Sequence, residues 1–540
     1  MRYKTLLRCF AAFSVILAVA ADGSAQSVFR LGAWCFRPGI GPDPIYSPVS
    51  NVWRVRTNER DKLLNLGLNY FVACTGIEAE QALIFMGDSL ATAPAPREFE
   101  TTADWSPANA SSGVPYQVWR AIYETGGPGN PAWEARVNNG FTSMYNLHGG
   151  HAGLHSFLSS AEDSLSYLHK HPWAEYLANA VHVRAPGVLA AVQTCPFPPG
   201  ALNALLQTAS SLDVFMHCNY PFPTGTPTSG LGFQNALQTS ASQFGEAATA
   251  IRTHQPGTPF YAIIQAHQAS GRYNYRSPSL EEILCQINLA LAYGADGIIY
   301  YLYTRTADGQ EGLLDANRNP TSRYTSVQSI HNNYQGMSQS LVNIGANFLP
   351  LSWQAGFSIH QNTTEPISST YKLYDVQSKV PGGGWDAGNE TYVETGVLQS
   401  GATNHYMVVN RRCTSTESRE ITMRFQSTSA NAYLITDLFT GDQKRFLPAN
   451  ATTITYTFTL GPGQGKLLKL EDLGNWSGTI SSNTTWPGTV CVNANATVTS
   501  AATLTLASGA NVIIAAGATL TVQGAPAAAR SSPAAAARFM

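Results

Sequence analysis

Between residues 28 and 350, short and nearly continuous apolar runs alternate with segments of helical spacing. No other feature limits the fold as tightly. "VFRLGAW" is the first run, and "NERDKLLNLGLNYFVACTG" reads as a helix, a stop at Gly67 and a second strand. "PAWEARVNNGFTSMYNLHGG" repeats that pattern, and "WAEYLANAV", "PGVLAAVQTCP", "SLDVFMHCNYP", "PFYAIIQAHQ" and "ADGIIYYLYT" complete eight candidate strands. Runs without polar alternation are expected of parallel strands buried on both faces. Segments such as "SLEEILCQINLALAYG" carry apolar residues at helical spacing and stop at glycine. Eight such units predict an α/β TIM barrel over residues 28–350. A doubly wound open sheet is the alternative, but no GxGxxG follows the first run. The fourth run, "WAEYLANAV", fits a helix equally well.

After residue 351 the period changes to two. "NHYMVVNRRC", "REITMRFQS", "NAYLITDLFTGD", "TITYTFTL" and "GKLLKLED" alternate apolar and polar residues between turn residues, which predicts an all-β sandwich over 351–472. From 478 to 524 very short β-branched runs are separated by Gly, Asn or Ala-Ser, the pattern of short β-solenoid rungs. These rungs are too few to bury a core alone, and their expected task is attachment or extension. Residues 525–540 are of low complexity and are expected to be disordered.

Residues 1–25 have the form of a signal peptide: Arg2, Lys4 and Arg8, an apolar stretch, then small residues up to Ala25. A membrane anchor is the other reading, but the apolar run is short for a span. The expected location is therefore secreted, extracellular or on the cell surface, with no membrane contact once the leader is removed. The net charge is −2 and only 12% of residues are charged, without a dense Lys/Arg run, which argues against nucleic acid and anionic membranes as partners. Of the eight cysteines, Cys9 would leave with the leader. Cys35, Cys74, Cys195 and Cys218 fall in or beside apolar runs and are expected to be buried thiols. No Cys/His spacing suggests zinc, and no cofactor or metal is expected.

Several of these stretches together resemble the glycoside-hydrolase superfamily of (β/α)8 barrels, particularly the β-galactosidase-like members among secreted bacterial proteins. "RSPSLEEILCQINLALAYGADGIIYYLY" is similar to a Pro-started helix and eighth strand of that superfamily, "LHKHPWAEYL" to the run leading into its fourth strand, and "SLDVFMHCNYPF" to its sixth. "LITDLFTGD" and "LGPGQGKLLKLE" resemble the β-domain that follows many such barrels. The resemblance implies hydrolysis of O-glycosidic bonds, with carbohydrate as the partner. It also implies an acid at the end of strand four and another at the end of strand seven. Here the fourth run reads "EYLANAVHVRAP" and the seventh ends at Gln265 and Gln268, so neither slot holds an acid. Glycoside hydrolysis normally needs two carboxyl groups.

The acids must then come from loops. Glu78 and Glu80 follow the second run, where they are also compatible with the first turn of a helix. Asp308, Glu311 and Asp315 follow the eighth run, where an ordinary solvated loop is the plainer reading. The catalytic candidates are Glu78, Glu80, Glu311 and Asp308, expected about 5 to 10 Å apart across the cleft. Asp213 begins the sixth run, at the wrong strand end, and reads as a cap. His148, His151 and His155 surround Gly-Gly and read as loop contacts in preference to metal ligands. Trp34, Tyr145, Tyr220 and Tyr303 stand at expected strand ends, where aromatic rings can stack on sugars. Asn146, His148, Asn219, Gln265 and His267 are placed to hydrogen-bond hydroxyls, Gln265 as a binding group and not as acid or base. A carbohydrate-binding or cell-surface protein on a hydrolase barrel that has lost its acids is the alternative function.

Overall fold

The computed structural model describes residues 29–34, 62, 65–73, 100–103, 127–148, 154–160, 171–195, 200–228, 230–271, 274–305, 309–358, 366–387, 392–414, 416–428, 431–446, 452–474, 476–486, 489–507, 510–524 and 538–539. Glu78, Glu80, Asp308, His151 and the leader 1–25 lie outside them.

The first part is a parallel sheet of strands β1 (Arg30–Trp34), β2 (Tyr70–Ala73), β3 (Glu100–Ala103), β4 (Leu154–Ser160), β5 (Leu189–Thr194), β6 (Val214–Asn219), β7 (Phe260–Gln265) and β8 (Gly297–Tyr301). Each pairs with the next, and β8 pairs back onto β1. Between them run helices α1 (Pro131–His148), α2 (His171–Arg184), α3 (Ala201–Thr208), α4 (Gly230–His254) and α5 (Leu280–Ala292), with α6 (Ser322–Asn332) and α7 (Leu341–Ala346) following β8. The strands divide their side chains between two cores, as a period of two requires. Tyr70, Val72, Met216, Tyr261, Ile263 and Ile299 fill the inside of the sheet. Leu31, Phe215, Ala262, Ile264 and Ile298 face the helices.

Two expected strands are helices. "PAWEARVNNGFTSMYNLH" is α1 throughout, because Trp133, Val137, Phe141 and Tyr145 recur every fourth residue and pack as one stripe on the shell core. "WAEYLANAV" lies in α2, with Ala174, Leu177, Ala178 and Val181 on its buried side. Their places in the sheet are taken by "ETTA" and "LHSFLSS", whose polar content had hidden them.

The second part is antiparallel. Strands β9 (Ser352–Phe357), β11 (Val393–Ser400), β12 (Thr403–Asn410), β14 (Ala432–Asp437), β15 (Gln443–Phe446) and β17 (Gly465–Gly474) form a six-stranded sheet, and β10 (Leu373–Lys379), β13 (Arg419–Gln426) and β16 (Thr453–Leu460) a three-stranded one. Val376, Val397, Tyr406, Ile421, Met423 and Leu468 form a core shared by both sheets.

The third part pairs in parallel. Strands β18 (Trp476–Ile480), β19 (Thr484–Trp486), β20 (Thr489–Val498), β21 (Leu504–Leu506), β22 (Asn511–Ile514), β23 (Leu520–Val522) and β24 (Arg538–Phe539) follow one another. Trp476 is opposite Val492, Thr484 opposite Leu504, Thr489 opposite Asn511 and Ala496 opposite Leu520. Within this part Trp486 is fully buried. Cys491 and Ile513 pack on Ala432, Leu434 and Leu473 of the preceding sheet, so its core is continuous with its neighbour's. Of the segment expected to be disordered, Arg538–Phe539 pairs with β22, and residues 525–537 lie outside the described residues.

Helix α5 joins the first two parts. Asn288 donates to the carbonyl of Gly463 at 2.7 Å, and Tyr293, just after the helix, donates to Glu394 at 2.5 Å. Glu394 also accepts from Ser358 and lies 3.6 Å from Arg411, which donates to Gln238 of α4 at 2.6 Å. Glycine is required where backbones meet here: a Cβ on Gly396 would stand 1.7 Å from the carbonyl oxygen of Ala292.

Candidate functional site

Parallel barrels place ligands at the carboxyl ends of their strands. At that end of β6, β7 and β8 the loops are tied by backbone pairing. Gln268 and Glu311 exchange both backbone hydrogen bonds, at 3.0 and 2.8 Å, and Ala269 does the same with Tyr275. Gln265 ends β7 on the same face as Tyr261 and Ile263, and it is fully buried. Its Oε1 accepts from the Phe222 N–H at 3.0 Å, and its Nε2 donates to the Arg276 carbonyl at 2.9 Å. The amide thus holds the loops after β6 and β7 together. A buried amide whose partners are already backbone groups is a structural tie before it is a ligand contact.

Above it lies an aromatic cluster. Tyr220, His267, Tyr275 and Tyr301 come from the ends of three strands and the loop after β7. The Tyr220 ring lies 5.1 Å from Tyr301, 5.0 Å from His267 and 5.7 Å from Tyr275. His267 is 4.9 Å from Tyr301 and 5.1 Å from Tyr275, edge-on to both. The three tyrosines are half-buried, while His267 has no exposed surface. Burial is the main cause that pushes the His267 pKa down to about 3; Arg323 adds to it and the Tyr301 carbonyl opposes it.

Glu311 borders this cluster. Its Oε2 accepts from Gln268 Nε2 at 2.6 Å and from Arg323 at 2.9 Å. Arg323, itself buried on α6, also donates to Ser277 Oγ at 2.8 Å and to the Gly312 carbonyl at 3.0 Å. Glu311 is therefore a positioned carboxylate, on the segment that pairs with Gln268, next in the chain to His267. Asp315 serves its own turn, accepting from the backbone of Asn317 and Asn319, which lowers its pKa.

The structure separates several of the other expected site residues from this mouth, while Trp34 stands at the carboxyl end of its strand, β1. Tyr145, Asn146 and His148 belong to α1, so they sit in the helical layer and not at a strand end. Tyr145 packs on the shell core and Asn146 is exposed. Asn219 points away from the inside and accepts from Ser240 of α4. Tyr303 is fully buried in the shell core; the mouth ring is Tyr301, which shares a face with Ile299. His155 begins β4, at the opposite end of the sheet, edge-on to Tyr70. Asp213 is also at that opposite end, where it accepts from the Ala190 N–H at 2.7 Å and from His182 at 2.6 Å, as a cap would.

The expected thiols Cys195 and Cys218 are a disulfide. The register of β5 and β6 sets Thr194 opposite His217, so the next residues, Cys195 and Cys218, are neighbours on the inside face. Strand separation is invisible to cysteine spacing, and that is why the sequence concealed the pair.

No known protein-family profile matches the chain, and no curated protein matches it. Among solved structures, a glycoside hydrolase family 5 protein from Bacteroides vulgatus is 10% identical, with a TM-score of 0.46 over 82% of this chain and 89% of that one. Its structural neighbours are glycoside hydrolases. A beta-galactosidase from Bacillus circulans sp. alkalophilus is also 10% identical, with a TM-score of 0.46 over 82% of this chain and 99% of that one. A b-glucuronidase from Ruminococcus gnavus is 10% identical, with a TM-score of 0.38 over 56% and 49%.

Sequence reasoning missed Tyr275, Tyr301, Gln268 and Arg323 as a group. For Tyr301 a signal existed, since it stands two residues after Ile299 and shares its strand face; the same count runs on to Tyr303, which lies past the end of β8 and packs in the shell core. It also set the fourth-strand slot in the wrong place. With β4 at Leu154–Ser160, the residues next in the chain are Ala161, Glu162 and Asp163, which lie outside the described residues.

Proposed function

We propose that this is a secreted glycoside hydrolase-like protein that takes a polysaccharide or oligosaccharide at the C-terminal mouth of a (β/α)8 barrel and cleaves its O-glycosidic bonds. The observation that carries the proposal is the cluster of Tyr220, Tyr275, Tyr301 and His267 beside the fixed carboxylate of Glu311. Aromatic rings offer the apolar face of a sugar a flat surface, and the polar edge of the cluster suits its hydroxyls. Glu311 supplies one carboxyl of the pair that hydrolysis requires. For the second, Glu78 and Glu80 are the candidates, with Asp308 an alternative to Glu311. Export is supported by the leader and by the Cys195–Cys218 disulfide, a cross-link typical of oxidising compartments. Residues 351–472 form the β-sandwich of this reading. The parallel pairing within 478–524 supports a short β-solenoid there, used for attachment.

One observation favours a non-catalytic, carbohydrate-binding reading. β7 ends in Gln265 where an acid is expected, and its amide is engaged by backbone groups. Two measurements on the mature chain separate the readings: oligosaccharide binding by calorimetry and turnover of chromogenic aryl glycosides. Turnover that falls roughly a thousandfold in Glu311→Gln while binding persists supports hydrolysis. Binding without turnover selects the second reading, and the absence of both overturns the two together.

A further inference from the structure

His331 shows how a buried histidine is satisfied in this fold. Its Nδ1 donates to the Leu66 carbonyl at 2.5 Å, and its Nε2 accepts from the Tyr300 hydroxyl at 2.6 Å. His267 is as deeply buried but only half matched. Its Nδ1 lies 3.1 Å from the Tyr301 carbonyl, which can only accept, so Nδ1 carries the proton. Nε2 then presents a lone pair, and among the described residues no group hydrogen-bonds to it. Leaving a buried acceptor unmatched is costly, and such an atom calls for a partner. This one stands at the mouth, among the half-buried rings of Tyr220, Tyr275 and Tyr301, and with no surface of its own it is reached only when those rings part.

We infer that His267 Nε2 accepts a hydrogen bond from one hydroxyl of the bound saccharide, so that the position it reads is a neutral hydroxyl and not a carboxylate or sulfate oxygen. The inference rests on the saccharide reading above and narrows it. An anionic oxygen brought to this nitrogen would set lone pair against lone pair. Reversal of that preference would need a protonated ring. The groups that bear on this are Arg323 and Glu311, already paired with each other, and the three tyrosines; burial keeps the ring neutral at ordinary pH.

The test uses the full mature chain. Glucose, galactose and xylose with their trimers are the neutral probes, and acetate and sulfate, anions with no O–H donor at neutral pH, are the charged ones. Binding is followed by calorimetry in wild type, His267→Phe and His267→Gln. The Phe variant keeps a ring in the cluster, and the Tyr301 carbonyl retains its bond from the Ala266 N–H at 2.8 Å. The expected result is about tenfold weaker binding of the neutral probe in the Phe variant, with partial recovery in Gln, whose amide oxygen can accept. On wild type, the ring-nitrogen NMR resonance of Nε2 should move to a hydrogen-bonded position when the neutral probe is added, and stay put with the charged ones. This second measurement decides the matter if the variants fail to fold. Wild type binding a neutral probe with an unmoved Nε2 resonance, or with equal affinity in folded His267→Phe, overturns the inference and leaves the saccharide reading standing. Failure of wild type to bind any probe overturns both.

Discussion

Lowering the pH from 7 to 5 should destabilise this protein strongly, and the structure says by how much. His217 and His267 are fully buried, and burial is the first cause that lowers each pKa from 6.5 to about 3. His331 is almost completely buried and is lowered to about 4 for the same reason. In the unfolded chain these rings take up a proton near 6.5, while in the native state they do not. The stability they preserve is whole above pH 6.5 and is lost as the pH falls toward their folded values. Between pH 7 and 5 the loss is about 2 kcal/mol for each ring, and with His155, which burial and the Arg30 charge lower to about 3, it is about 8 kcal/mol for the four. Asp296 acts in the opposite sense. Burial raises its pKa from 3.8 to about 7, with the Phe260 N–H opposing, so the native state gains a proton over the same interval. That offsets about 2 kcal/mol. The net loss, about 6 kcal/mol, is a large part of the 5–15 kcal/mol that holds a typical domain together. Urea unfolding at pH 7, 6 and 5 reads it directly, as a falling midpoint at constant slope. A midpoint that stays level or rises toward pH 5 would refute the reasoning.

Two further perturbations probe the framework. Gly396→Ala brings a Cβ to 1.7 Å from the Ala292 carbonyl and should lower the melting temperature sharply or prevent soluble expression, whereas Gly384→Ala, with nothing within 4 Å, should change it little; equal melting temperatures would remove the tight approach from the account. Replacing both Cys195 and Cys218 by alanine opens a link spanning 23 residues and should cost about 3 kcal/mol in denaturant unfolding, while no loss would mean that the link is not formed in solution.

The parts legible in the sequence were those where a single period dominates. β7 and β8 are unbroken apolar runs, and β13 alternates buried and half-buried residues along its whole length, so both classes of strand could be read directly. β3 and β4 could not. "ETTA" and "LHSFLSS" are held in the sheet by neighbours on either side, and their polar residues carry no local strand signal. The cost of that error reached the site: once α1 had been read as a strand, Tyr145, Asn146 and His148 were carried to a mouth they do not approach. The aromatic cluster was half visible, as Tyr220 and His267 follow strands that were identified correctly. Its other half depends on a loop that returns after β7 to lay Tyr275 against Ala269, a contact that no spacing in the chain announces. The pairing of Glu311 with Arg323 was likewise hidden, since it depends on how the segment after β8 folds back before α6 begins.

Helix α5 differs from an ordinary barrel helix in one respect. From Glu282 to Ala292 every residue is buried, so it has no face turned to water. One side lies on β7, and the others are covered by α4, α6 and strands β11 and β12. The β-sheet region after residue 351 is thus the outer wall of the barrel at this point, and not cargo on a tether. A chain ending at the barrel boundary would expose this helix along with Asn288 and Tyr293, two polar groups whose partners, Gly463 and Glu394, lie beyond the cut. The two regions share one buried surface along this helix. Gln286 of this same helix accepts from the Gln265 N–H at the end of β7, so the sheets and the mouth bear on one helix.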